Sequence, residues 1–278
     1  MPSVVYIIAL VGVPFVLAVG FAVSDVTAGD PSFDFVGLAN FRAIFDDPVF
    51  WRSLGNTFLF TGVSMIFIVI FGKILANILV ADFKGKWIVR FLVLLPWTTP
   101  ATLGAIAWLW LLDSIFSPID WVLRKLGFID GNMYWLGEPQ LAMGSVIAVH
   151  VWRLTPLAAV IMMAGLVAIP RDMDEAARVD GAGFWRRMFE VTIPLTLPVI
   201  AVSALFGAIF TFTDMAVVDV LTNGGPNNAT QVLTSWAFFR GIDGGDVGQG
   251  AAVALFLFPL LLAAAIAILR AVRKLEVR

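Results

Sequence analysis

The chain has 278 residues, 60% of them hydrophobic and 14% charged, with mean hydropathy +0.94 and a formal net charge of -2. Soluble domains run at about 45–50% apolar and about 25% charged, so this is the composition of a membrane protein with little room for a soluble domain. There is no basic patch of the kind nucleic-acid binding needs, no cysteine for disulfides or thiolate chemistry, and only one histidine, His150, which excludes His-rich metal sites.

A helix needs about 20 mostly apolar residues to cross a bilayer. Six stretches qualify: 4–23, 57–80, 87–112, 141–169, 197–221 and 250–269. The first lacks the basic start and small-residue cleavage site of a signal peptide, and reads as a retained span. Residues 24–56 are acidic and end in Phe41, Phe45, Phe50 and Trp51, which predicts amphipathic helices on the membrane face. The second span carries Lys73, near enough to its inner end to snorkel. After the third span, residues 119–126 predict another surface helix. The fourth span holds His150 and Arg153, and the fifth holds Thr211 and Asp214. Residues 222–249 are rich in Gly and Asn around an apolar stretch, 232–239. Trp97, Trp108, Trp110, Trp135 and Trp236 fall near span ends, where interfacial anchoring accounts for tryptophan.

The segment 170–196, between spans four and five, reads as two short helices hinged at glycine. Pro170 stops the preceding span, and Asp172 three residues before Glu175 has the pattern of a capping box. Asp174 and Glu175 fall in the first turn, which the helix dipole favours. Ala176 and Ala177 leave one face small, Gly181 and Gly183 let the backbone reverse, and Pro194 and Pro198 return the chain to the membrane. A compact helix with a small face, held at the membrane surface, is suited to docking.

Orientation follows from lysine and arginine, which are retained on the cytoplasmic side. With the N-terminus inside, eleven such residues lie in inner segments and five in outer ones. Both termini and the 170–196 loop are therefore expected in the cytoplasm. His150, Arg153, Thr211 and Asp214 then share the outer half of the membrane. Ionisable groups at that depth usually face a bundle interior or a wet cavity. Two readings stand: a substrate path lined by the four residues, or a structural ion pair between Arg153 and Asp214 with His150 hydrogen-bonded in a packed core. Trp152, Phe210 and Phe212 flank the cluster; such aromatics more often face lipid or core than a ligand.

The 170–196 run resembles the coupling-loop signature of binding-protein-dependent ABC importer permeases: Glu-Ala-Ala, three residues, Gly, nine residues, then Ile-x-Leu-Pro. Here Glu175-Ala176-Ala177, Gly181 and Val191-Thr192-Ile193-Pro194 keep that spacing with two conservative changes. Residues 221–230 resemble the loop that follows in the sugar-importing, maltose-type branch. The resemblance implies an all-α integral membrane protein with six transmembrane helices and the type I importer permease fold, in a single domain, 1–278. It implies that Glu175, Ala176, Ala177, Asp180, Gly181 and Pro194 couple to an ATPase. The implied assembly holds a second permease, two ATPase subunits that bind ATP and Mg, and an extracytoplasmic binding protein. It sits in the lipid of a bacterial inner membrane and imports a sugar, sugar phosphate or polyol. No cofactor is expected in this chain.

The phosphate loop Gly-x-x-x-x-Gly-Lys-Ser/Thr, the Gly-x-Ser-x-Gly elbow and His-Glu-x-x-His are all absent from the sequence, so a membrane enzyme has no visible machinery. The main rival is a secondary active transporter of a small polar solute. That class often shows internal repeats and broken helices, and no repeat is visible here.

Overall fold

The computed structural model describes residues 2–30 and 32–276. They form α1 (Ser3–Ala22), α2 (Ala39–Asp46), α3 (Pro48–Val80), α4 (Lys86–Thr98), α5 (Ala101–Leu111), α6 (Pro118–Lys125), α7 (Pro139–Val167), α8 (Arg171–Val179), α9 (Phe184–Phe212), α10 (Ala216–Thr222), α11 (Leu233–Phe238) and α12 (Val247–Glu276). Among the described residues the only β pairing is two isolated bridges, Ser24 with Phe35 and Thr27 with Asp30. Five helices (α1, α3, α7, α9 and α12) are long and apolar enough to span a membrane, and the bent pair α4–α5 makes a sixth.

Proline chemistry explains one break and two places where a helix carries on. The expected third span is not one rod: α4 and α5 meet at 99°. Proline drives the residue before it to extended backbone, and Thr99, before Pro100, has ψ 134°. The next helix restarts on Pro100, whose carbonyl accepts from the Gly104 N–H at 3.0 Å. Pro14 and Pro194 are absorbed differently. Each follows a π-helical turn, Ile8–Gly12 and Met188–Thr192. A widened turn relieves the clash between a proline ring and the carbonyl four residues back. As a result α9 runs unbroken from Phe184 through Pro194 to Phe212. The 170–196 segment therefore holds one free short helix followed by the start of a long one, in place of the two short helices expected.

Other bounds also move. Residues 48–56 are the first turns of α3, capped by the Asp47 side chain accepting from the Val49 N–H at 2.8 Å. The surface helix expected at 119–126 is α6. The fifth span ends at Phe212, and α10 is separate.

The centre of the bundle is α3, α7 and α9, drawn together by small residues. A Cβ on Gly72 of α3 would lie 2.9 Å from the Ala158 Cβ of α7, and one on Gly165 of α7 would lie 2.9 Å from Val199 of α9. Such contacts substitute for the hydrophobic drive that lipid removes. Phe60, Ile68, Val146 and Leu154 fill the space between. Lys73 lies in this packed region with a buried Nζ that has no hydrogen-bond partner, so it does not reach the surface as expected.

Candidate functional site

The residues singled out in the sequence fall into two places. The first is α8. Pro170 supplies its extended N-cap, and the helix starts at Arg171. Asp172 is thus inside the first turn and not at the N-cap, contrary to the capping box expected. The other end is fully specified. The Gly181 N–H donates to the Arg178 carbonyl at 3.0 Å, and the Ala182 N–H donates to the Ala177 carbonyl at 2.9 Å. These are the paired bonds of a Schellman stop, which needs a left-handed residue after the cap. Gly181 has φ +76° and open space around its missing Cβ, so it is there for its backbone. Gly183 has an ordinary φ of -65°.

Glu175, Ala176, Asp180 and Gly181 are exposed and Ala177 is half-buried, so α8 turns Ala176 outward and Ala177 partly. Val179 is 87% exposed. The helix touches the rest of the chain through the Met188–Thr192 turn of α9, immediately before Pro194. The structure thus brings Glu175 to Gly181 together, while Pro194 belongs to the helix that α8 leans on. Beside α8, Phe184, Trp185 and Phe189 are also exposed, with Trp185 and Phe189 stacked at 6.3 Å. Sequence reasoning passed over these three; an aromatic pair four residues apart in a surface segment was the available signal.

The second place joins α7 to the end of α9. Arg153 donates to Asp214 Oδ2 in an ion pair. Asp214 Oδ1 accepts from the Val217 N–H at 3.1 Å, so the same carboxylate holds the start of α10. The Thr211 hydroxyl donates to the Gly207 carbonyl at 2.7 Å. That hydroxyl has one proton, so it accepts from His150 Nε2 across 2.9 Å. His150 therefore carries its proton on Nε2, and Nδ1 faces Asp214 Oδ2 at 3.7 Å without a hydrogen bond. The Phe60 ring packs on the imidazole at 4.8 Å. His150 is fully buried, Thr211 is 1% exposed and Asp214 8%.

All four predicted path residues are thus neighbours, bonded in two cross-helix pairs, with His150 Nδ1 and Arg153 Nε left without a hydrogen bond. An apolar groove of about 740 Å³ runs nearby between α3, α4 and α7, lined by Phe67, Phe71, Leu92, Pro96, Trp152 and Thr155. None of the four polar residues lines it. Trp152 faces this groove and packs edge-on against Trp108 at 5.5 Å, while Phe210 packs edge-on against Trp97 at 5.6 Å. Phe212 is buried against Phe58. The 221–230 loop is clipped to α3: Arg52 donates to the Asn227 carbonyl at 2.7 Å and Asn56 to the Asn228 carbonyl at 3.2 Å.

A family profile described as the inner membrane component of binding-protein-dependent transport systems matches residues 68–277. The chain is 32% identical over 249 residues to the sulfoquinovosyl glycerol transport system permease protein SmoG of Agrobacterium fabrum, covering 90% of this chain and 80% of that one. It is 35% identical over 240 residues to the trehalose/maltose transport system permease protein MalF of Thermococcus litoralis, covering 86% and 80%. In fold it is similar to a chain of a bacterial ABC transporter that imports the acidic polysaccharide alginate, with TM-score 0.84, 19% identity and 99% and 93% coverage. The chain belongs to the binding-protein-dependent inner membrane permease family and has the type I ABC importer permease fold.

Proposed function

We propose that this permease moves a sugar or related glycoside, that α8 is the element an ATPase subunit grips, and that the α7–α9 cluster lies on the substrate path. The sugar class is supported by the relatives named above, whose substrates are saccharides. The observation that carries the coupling role is geometric. A nine-residue helix is sharply stopped at Gly181, turns Ala176 outward and Ala177 partly, and leans on one turn of a long membrane helix. Force applied to α8 therefore reaches α9 directly, and α9 carries Thr211 at its far end.

The assembly we propose contains a second permease, two ATPase subunits that bind ATP and Mg, and an extracytoplasmic binding protein, in a bacterial inner membrane. Both termini and α8 face the cytoplasm. ATP binding closes the ATPase pair, shifts α8, and opens the path toward the binding protein. The bonds His150–Thr211 and Arg153–Asp214 both cross from α7 to the end of α9, so relative movement of these helices is what would free their polar groups for a sugar.

Crosslinking tests the coupling role. A Cys at position 177 should crosslink to the co-expressed ATPase, and Ala177→Trp should uncouple ATP hydrolysis from uptake while the chain still inserts. Normal uptake with Ala177→Trp and no crosslink would remove α8 from the coupling path. For the path, His150→Ala should reduce substrate stimulation about ten-fold, the equivalent of one buried hydrogen bond. A second reading is favoured by burial: with His150 fully enclosed, the cluster is a structural clasp alone. Loss of folded chain in His150→Ala, with no selective change in uptake, would establish the clasp.

A further inference from the structure

We infer that the substrate is an uncharged saccharide, and that this subunit rejects saccharides carrying a carboxylate or phosphate. This rests on the reading that the path lies at the α7–α9 cluster. The connections 23–47, 112–138 and 213–246 all lie at the end of the bundle away from α8, because they alternate with the inner loops along the chain. They carry thirteen acidic residues against four basic ones. A mouth with that balance repels anions well beyond contact distance.

Three of the nearby cations are held by partners. Arg240 pairs with Asp47, Arg124 donates to Asn132 Oδ1 at 2.6 Å, and Arg52, in the second turn of α3, donates to the Asn227 carbonyl. Deeper in, Arg153 is paired with Asp214, so parting the helices exposes a carboxylate together with the guanidinium and adds no net positive charge. A carboxylate or phosphate entering here would lose its hydration and meet a guanidinium only beside the Asp214 carboxylate, which is the costly way to bury a charge.

An uncharged saccharide asks for different partners, and these are present. Trp152 is 37% exposed toward the apolar groove, one residue from Arg153 in sequence. Trp108, Trp97 and Phe210 continue an aromatic surface past the α4–α5 bend. Indole rings offer an apolar face for the C–H side of a sugar and an N–H for a hydroxyl, with no charge required.

The test uses the complete transporter in proteoliposomes with its binding protein. Uptake is measured for labelled maltose, trehalose, cellobiose and raffinose, each beside the same sugar with one primary hydroxymethyl oxidised to a carboxylate. At least one uncharged member should enter at least ten-fold faster than its carboxylate. Equal or faster uptake of a carboxylate would overturn the inference while leaving sugar transport intact. If no saccharide of either kind enters while ATP is hydrolysed, the sugar reading itself fails and takes this inference with it. A second measurement assigns the effect to this chain. Asp34, Asp130 and Asp243 are exposed, and their joint replacement by Asn should raise carboxylate uptake about three-fold at low salt with uncharged uptake unchanged. Unchanged carboxylate uptake in that variant would show that the mouth's charge does not select.

Discussion

Helix α8 and the His150–Arg153–Thr211–Asp214 cluster sit at opposite ends of α9, and they are held by opposite means. α8 is local. Its start is a proline, its stop is a glycine with two backbone bonds, and Glu175, Ala176 and Asp180 are exposed. The cluster is wholly non-local. Each of its cross-helix bonds joins residues 61 apart in sequence, and its polar groups are stable only because they find one another. A helix held only by local bonds can vary its side chains at little cost to the fold. A polar cluster inside a bundle cannot lose one member without stranding another. The two regions should therefore respond to substitution in contrasting ways, in stability and in transport.

The largest effect should come from stranding a charge. Asp214→Leu leaves the Arg153 guanidinium without its counter-ion and removes the bond to the Val217 N–H, at a cost of about 3–5 kcal/mol. Thermal unfolding of the purified chain in detergent should show this as a fall in midpoint or a loss of folded protein. Replacing both partners, with Arg153→Met added to Asp214→Leu, should recover much of the loss. If the single variant is as stable as the parent, the pair is not a clasp and the contrast with α8 collapses.

Next comes Thr211→Val. It keeps the shape but removes the hydroxyl that accepts from His150 and donates to Gly207. An unsatisfied imidazole N–H in this core should cost about 1–3 kcal/mol. The same unfolding measurement decides it; a loss well below that range would mean His150 finds another acceptor.

Smaller still is the glycine pair at the end of α8. Gly181→Ala places a Cβ on a left-handed residue, a strain of about 1–2 kcal/mol. Gly183→Ala, with ordinary backbone and open space, should stay within about 0.5 kcal/mol. Because α8 is local, Gly181→Ala should disturb coupling more than global unfolding. Amide exchange at Gly181 and Ala182 would report the loosened stop. Equal effects at the two glycines would mean that the turn does not depend on its backbone angle.

The smallest effect on stability should be Glu175→Gln. The carboxylate is exposed, and neutralising it should move stability by less than about 0.5 kcal/mol. Coupled transport, measured as sugar moved per ATP, should nonetheless fall. A stability loss as large as that of Thr211→Val would show that α8 is held by tertiary contacts after all.

The parts of this chain legible from sequence are those governed by neighbours in sequence. Apolar length located the membrane helices because a bilayer leaves the backbone no other way to satisfy its hydrogen bonds. The spacing from Glu175 to Pro194 marked the short helix α8, because proline starts and glycine stops act within a few residues. His150, Arg153, Thr211 and Asp214 could be named because charge is rare at that depth, and similar depth suggested that they meet.

The tertiary structure decided the rest. It turned the third span into two helices at 99°, since Pro100 forbids continuation but does not fix the angle; packing of α4 and α5 on α7 does. It carried α9 straight through Pro194, because a π turn one step earlier made room for the ring. It buried Lys73, whose long stem gave the sequence no way to say which way it would lie. And it showed which partners the polar residues choose. Arg153 could have faced a cavity or Asp214, with the same depth and the same helix in either case. Only the close approach of α7 and α9, set by small residues such as Gly165, brought the guanidinium onto the carboxylate.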